Sequence, residues 1–150
     1  MKLITGCAEE TIDFGRRLAR LLGPGDILGL IGELGSGKTT LIKGIAEGLR
    51  VRPEAVSSPT FVLIKEYQGR IPLFHLDLYR LDKIKDIASL GVEEYLFDKG
   101  VCVIEWAQKL KMLIPDYLEI DLTVKGEDTR ELKLIAHCKR YEAFLKTLST

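Results

Sequence analysis

Lys38 and Thr39 close the stretch Gly32-Glu33-Leu34-Gly35-Ser36-Gly37-Lys38-Thr39, which satisfies the spacing G-x-x-x-x-G-K-[ST]. Each fixed residue type has a physical reason. Glycines permit positive φ and leave backbone N–H groups free to turn toward an anion, and a helix starting just after them aims its partially positive end at the same place. The lysine adds a mobile point charge that reaches the β- and γ-phosphates of a nucleotide, and the Thr39 hydroxyl can sit on Mg²⁺. Four fixed positions would align by accident in a chain of this composition roughly 1% of the time. Phosphate binding is therefore the expected use of this loop.

Such a loop works with an acidic group at a strand end, which holds Mg²⁺ directly or through water and steadies charge on the transferring phosphoryl group. Two carboxylates qualify. Glu105 ends the apolar run Val101-Cys102-Val103-Ile104, so a buried strand would deliver it to the sheet edge where the loop sits; the alternative is an ordinary strand-ending charge. Asp77 lies in LFHLDLYR, where alternation puts Phe74, Leu76 and Leu78 on one face and His75, Asp77 and Tyr79 on the other. Periodicity alone leaves that polar face equally open to a site or to solvent. A lone histidine such as His75 is more often structural than catalytic. Ser57-Ser58-Pro59-Thr60 reads either as a plain turn or as a threonine-bearing loop that senses a γ-phosphate. Trp106, the only tryptophan, follows Glu105 and is most simply a packing residue.

The surroundings are neutral. The chain has 150 residues, 46% of them apolar, with 22 basic and 22 acidic side chains. That size suits a single domain over residues 1–150 with a real core. Zero net charge announces neither a nucleic-acid binder nor an anionic-membrane binder, local patches aside. Cys7, Cys102 and Cys138 are odd in number and lack C-x-x-C or Cys/His ligand spacing, which argues against a disulfide framework and a zinc site and for a reducing cytoplasm. Ile4-Thr5-Gly6-Cys7 loosely mimics the end of a lipoprotein signal, but Met1-Lys2-Leu3 falls far short of a signal's apolar core. Charges interrupt every apolar run before it reaches membrane-spanning length.

The elements that position these residues follow from periodicity. Residues 9–22 read as an amphipathic helix, with Phe14, Leu18, Leu21 and Leu22 on one face and Gly23-Pro24 as its stop. DILGLI, 26–31, reads as a strand into the glycine-rich turn, and 38–49 as the helix after it. FVLIKEY and LFHLDLYR form a predicted hairpin across Gln68-Gly69-Arg70, and residues 82–97 look mostly helical with a break at Gly91. VCVIE, 101–105, is a buried-strand run. YLEIDLTVK and RELKLIAH make a second hairpin around Gly126-Glu127-Asp128, and 139–148 a final helix. The pattern is one mixed α/β sheet with helices around it.

GELGSGKTT, SSPTF, HLDLYRL and IEW, in that order over nearly the whole chain, resemble the small bacterial TsaE family, formerly YjeE. The resemblance implies a P-loop NTPase-like α/β fold, with a mixed β-sheet flanked by helices and antiparallel hairpins, an ATP–Mg²⁺ site and low intrinsic ATPase activity. Gly32, Glu33, Leu34, Gly35, Ser36, Gly37, Lys38, Thr39 and Thr40 would form the nucleotide-binding loop. Thr39 and Glu105 would be the Mg²⁺ ligands, and Lys38, Asp77 and Glu105 the catalytic set, with Thr60 in a switch-like loop and Thr11 near the adenine. Glu33 stands where Asp is common and Ser36 where Ala is common, both at variable loop positions. The resemblance also implies a purpose: ATP binding and hydrolysis would support repeated turnover by TsaB and TsaD, which transfer a threonylcarbamoyl group to the adenosine beside the anticodon of tRNA. Neutral charge agrees with an indirect or shared tRNA contact.

The chain contains no asparagine, so the Asn-Lys-x-Asp element by which typical GTPases read guanine is absent and ATP is preferred to GTP. Two other readings stay open. A small-molecule kinase uses the same loop but needs an acceptor pocket and usually an arginine-bearing lid, and no clear lid stands between Gly91 and Leu113. A nucleotide-dependent binding switch would keep Lys38 and Thr39 but tolerate loss of Asp77.

Overall fold

The computed structural model describes residues 1–56, 64–78, 100–110 and 116–150. Within them seven strands form one sheet: β1 (Lys2–Thr5), β2 (Ile27–Ile31), β3 (Ile64–Tyr67), β4 (Leu73–Asp77), β5 (Val101–Glu105), β6 (Leu118–Val124) and β7 (Arg130–Ala136). Their order is β1-β7-β6-β2-β5-β4-β3. The central strands β6, β2, β5 and β4 run parallel. Antiparallel pairings flank them, β3 on β4 at one side and β7 with β1 beyond β6 at the other. The expected mixed sheet with antiparallel hairpins is thus the observed one.

The parallel centre explains the apolar runs. A strand covered on both faces needs no polar alternation, and β5 is buried at every residue of VCVIE. On one face Leu28, Leu30, Val101, Val103, Leu118 and Ile120 join the core under the helices α1 (Ala8–Ala19), α2 (Lys38–Gly48) and α3 (Lys139–Ser149). On the other face Ile27, Phe74, Leu76, Leu78, Cys102 and Ile104 pack with Ala107 and Tyr117.

Two contacts hold the helices in place, one between α1 and α2 and one between α3 and β2. A Cβ on Gly15 of α1 would lie 2.7 Å from the Leu41 carbonyl oxygen and 2.8 Å from the Ile45 nitrogen, so the two helices touch backbone to backbone. Any larger residue would drive α1 off α2. At the other end of the sheet, Asp26 is fully buried just before β2. Its carboxylate accepts hydrogen bonds from Arg140 Nε at 2.8 Å, the Tyr141 hydroxyl at 3.0 Å and the Gly23 N–H at 2.7 Å. Tyr141 Oη in turn accepts the Ile27 N–H at 2.8 Å, which ties α3 to the root of β2.

The expected helices at the N-terminus, after the loop and at the C-terminus are α1, α2 and α3, each within a few residues of its predicted bounds. The predicted helix at 82–97, and the parts of the first hairpin at 61–63 and 79–80, lie outside the described residues. One strand was not anticipated. β1 is four residues long and its partner β7 is more than a hundred residues away, so no local pattern announces it. Among the described residues no helix is long and apolar enough to cross a membrane.

Candidate functional site

The site lies where the central parallel strands end. After Ile31 the chain turns through the glycine-rich loop and enters α2 at Lys38. Gly35 and Gly37 adopt φ of +78° and +103°, a region costly for a residue with a Cβ. At Gly32 the constraint is space: a Cβ there would meet Ser36 Oγ at 2.5 Å and the Leu122 carbonyl oxygen at 2.7 Å. Gly37 is the N-cap of α2, with no side-chain cap and no acidic residue in the first turn. The positive end of the helix is therefore left for an anion to complete.

Lys38 is almost fully buried. Its Nζ donates to the Gly32 carbonyl and, at 3.1 Å, to that of Glu33, and lies 4.2 Å from the centre of the Trp106 ring. Burial lowers its pKa below the ordinary lysine value, against the attraction of Glu105, Asp77 and Glu33. Trp106 itself holds φ at +63°, a left-handed conformation that costs a non-glycine residue about 1–3 kcal/mol and persists where the surroundings demand it.

The two carboxylates arrive on adjacent strands. In the β4–β5 register Asp77 faces Glu105, so both strand ends bring an acid to one place. Asp77 and Glu105 are 2% and 3% exposed. That rules out the solvated face that periodicity left open for Asp77. His75, two residues before Asp77 and completely buried, places Nε2 2.7 Å from Glu105 Oε2.

These residues line one cavity of about 320 Å³: the loop from Leu34 to Thr40 on one side, Asp77, Glu105 and Trp106 on the other, and Arg130 at its rim. Gly32 and Glu33 take part through their carbonyl bonds to Lys38. A smaller recess of about 70 Å³ shares Gly37, Thr40 and Arg130 with the cavity and is lined further by Thr11. The Thr11 side chain is 2% exposed and its hydroxyl is paired with Thr5 Oγ1 at 2.8 Å, so it offers the recess a wall rather than a free hydroxyl. Thr60 lies outside the described residues.

Three features escaped sequence reasoning. His75 shares the face of Asp77 by simple alternation, so the signal was present but read as structural. The stacking of Lys38 on Trp106 has no sequence signature beyond the adjacency of Trp106 to Glu105. Arg130 leaves the β6–β7 turn, gives Nη1 to the Gly126, Glu127 and Thr129 carbonyls at 3.1–3.2 Å, and extends Nη2 to the Gly35 carbonyl at 3.3 Å. Nothing local in its hairpin foretells a reach to a loop 95 residues earlier.

Fold and site together define a mixed α/β protein built around a glycine-rich strand-to-helix loop with two buried acids opposite it. The family model described as "Threonylcarbamoyl adenosine biosynthesis protein TsaE" matches residues 5–132, and the chain belongs to that family. It is 43% identical to the tRNA threonylcarbamoyladenosine biosynthesis protein TsaE of Bacillus subtilis, over 94% of this chain and 89% of the relative. The protein of the same name from Treponema pallidum is 38% identical, over 88% of this chain and 98% of the relative. The fold matches the crystal structure of Bacillus subtilis YdiB with a TM-score of 0.82 at 38% identity, covering 99% of this chain and 93% of that one.

Proposed function

We propose that this chain is an ATPase that binds ATP with Mg²⁺ and, through hydrolysis, supports TsaB and TsaD in threonylcarbamoyl transfer to the adenosine beside the anticodon of tRNA. Family membership supports the pathway, tRNA threonylcarbamoyladenosine biosynthesis. The observation that carries the chemistry is the convergence of the loop, Lys38, Thr39, Asp77 and Glu105 on one cavity.

The residues fit the nucleotide. Loop N–H groups and the uncapped start of α2 suit phosphate oxygens, and Lys38, held over an aromatic ring and neutral carbonyls, gains a stronger partner when an anion enters. They also fit the metal. Thr39 and Glu105 are the proposed ligands, a small protein share that suits an ion keeping water and phosphate oxygens in its shell. A Mg²⁺ held there by Thr39 and Glu105 would neutralise negative charge developing on the phosphates. Asp77, opposite Glu105 and nearly sealed from solvent, is assigned to orienting the attacking water. The absence of asparagine favours adenine over guanine. On this reading the protein works in the cytoplasm, in keeping with three cysteines that lack disulfide or metal-ligand spacing.

The test is ATP turnover by the purified protein, alone and with a TsaB–TsaD complex, with GTP and Lys38→Ala as controls. ATP-specific stimulation by the complex that disappears in Lys38→Ala is the expected result. Turnover that ignores those partners, or that needs a small-molecule acceptor, would replace this reading with a kinase.

A further inference from the structure

His75 is an expensive residue to place where it is. Its ring is fully buried on β4, opposite Val103 of β5, on a face where Leu73, Val101 and Val103 are apolar and only Asp77 and Glu105, at the strand ends, are charged. Burying a polar group costs about 1–3 kcal/mol unless its hydrogen bonds are made. Yet among the described residues Nδ1 has no partner at all, and the ring's one bond is that from Nε2 to Glu105. A leucine would fill the space at less cost. What the histidine contributes is therefore the single contact to a carboxylate that lines the nucleotide cavity.

That contact defines both groups. A neutral imidazole carries one N–H, and a carboxylate can only accept. The hydrogen accordingly sits on Nε2, and Nδ1 is left a bare acceptor. Oε2 of Glu105 is engaged, while Oε1 has no hydrogen bond to any described residue. Side chains that orient a metal-binding carboxylate or histidine in this way commonly set metal affinity by factors of ten to a hundred, although they never touch the ion.

We propose that His75 is a positioning residue: its Nε2–H fixes the Glu105 carboxylate and so presents the second oxygen to the divalent cation that accompanies the nucleotide. This rests on the ATP–Mg²⁺ reading of the cavity. Without the donor, Glu105 is a buried carboxylate free to turn toward Lys38, which feels Glu105 more than any other carboxylate, and the cation loses a prearranged ligand.

Three variants test the idea because they differ in where a donor can stand. Gln places an amide N–H where His Nε2 is, Asn places one nearer Nδ1, and Leu places none. ADP affinity is measured by calorimetry in EDTA, and the half-saturating Mg²⁺ concentration is then measured on ADP-loaded protein. The expected result is that all three bind metal-free ADP as the natural chain does. His75→Gln then stays within about threefold of the natural chain in its Mg²⁺ requirement, while His75→Asn and His75→Leu need about 10- to 100-fold more Mg²⁺. If His75→Leu does not fold, the Gln and Asn pair decides. Equal Mg²⁺ requirement in Gln and Asn overturns the proposal, as does a loss of metal-free ADP affinity as large as the loss of Mg²⁺ response, which is what a merely structural residue would give. If the natural chain itself shows no coupling between Mg²⁺ and ADP, the ATP–Mg²⁺ reading fails and this proposal with it. Coupling retained unchanged in all three variants sinks the role of His75 alone.

Discussion

On the proposed reading the buried carboxylates Asp77 and Glu105 carry different burdens, and substitution would separate them. Asp77→Ala leaves the loop, Lys38 and the α2 N-terminus intact, so nucleotide binding should persist while turnover falls at least about 100-fold. Unimpaired hydrolysis in that variant, measured as phosphate release at saturating ATP, would remove Asp77 from the mechanism and favour a binding switch. Lys38 makes a second prediction through its titration. Its folded pKa lies below the ordinary lysine value of 10.5 because burial disfavours the charged form. Just below pH 10.5 the unfolded chain therefore still holds a proton that the folded chain has released, and stability rises with pH across that window. Denaturant titrations of the natural chain and Lys38→Met from pH 8 to 10.5 should show this rise in the difference between them. A difference that is flat with pH would mean that Lys38 is not desolvated before ligand binds.

At the scale of elements, the network joining α3 to β2 is the contact most open to measurement. Tyr141→Phe removes the acceptor for the Ile27 N–H and one donor to Asp26, all of them buried. The expected loss is about 1–3 kcal/mol of folding stability, with little change in nucleotide affinity because the network stands at the far end of β2 from the loop. Calorimetric unfolding checks the first part, and ADP titration the second. Elements are also where the legibility of the sequence divides. The strand, glycine-rich turn and helix at 26–49 were readable because apolar period, glycine spacing and the lysine all spoke for one arrangement. The hairpins were readable because Gly69 and Gly126 punctuate alternating runs. β1 was not, since KLIT takes its strand conformation from β7 and not from any pattern of its own. The site divides similarly. Lys38, Thr39 and Glu105 could be placed from local order alone, whereas the pairing of Asp77 with Glu105 depends on β4 lying beside β5, which is a property of the sheet.

For the whole molecule, the cavity draws on the loop after β2 and on α2, β4, β5 and β7, so a nucleotide bound as proposed would tie together strands from both halves of the sheet. Mg²⁺-ATP at a hundred times its dissociation constant should add about 2.7 kcal/mol to unfolding stability. For a chain of this length that is a rise of about 5–11 °C in Tm. The same nucleotide added to Lys38→Ala should leave Tm where it was, and an equal rise there would place binding outside the loop.

The pairing of β1 with β7 reaches further than the fold itself. β1 lies beside no described strand but β7, and Leu134 N–H bonds to the Met1 carbonyl at 2.8 Å. On the ribosome, β1 must therefore wait for a partner until β7, more than a hundred residues later, has been synthesised. Until then its apolar residues Leu3 and Ile4 travel unpaired, and this edge of the sheet can be finished only once β7 has been made. Truncating the chain before residue 130 would leave β1 permanently without its neighbour, and a nascent chain stalled there is the form most exposed to aggregation.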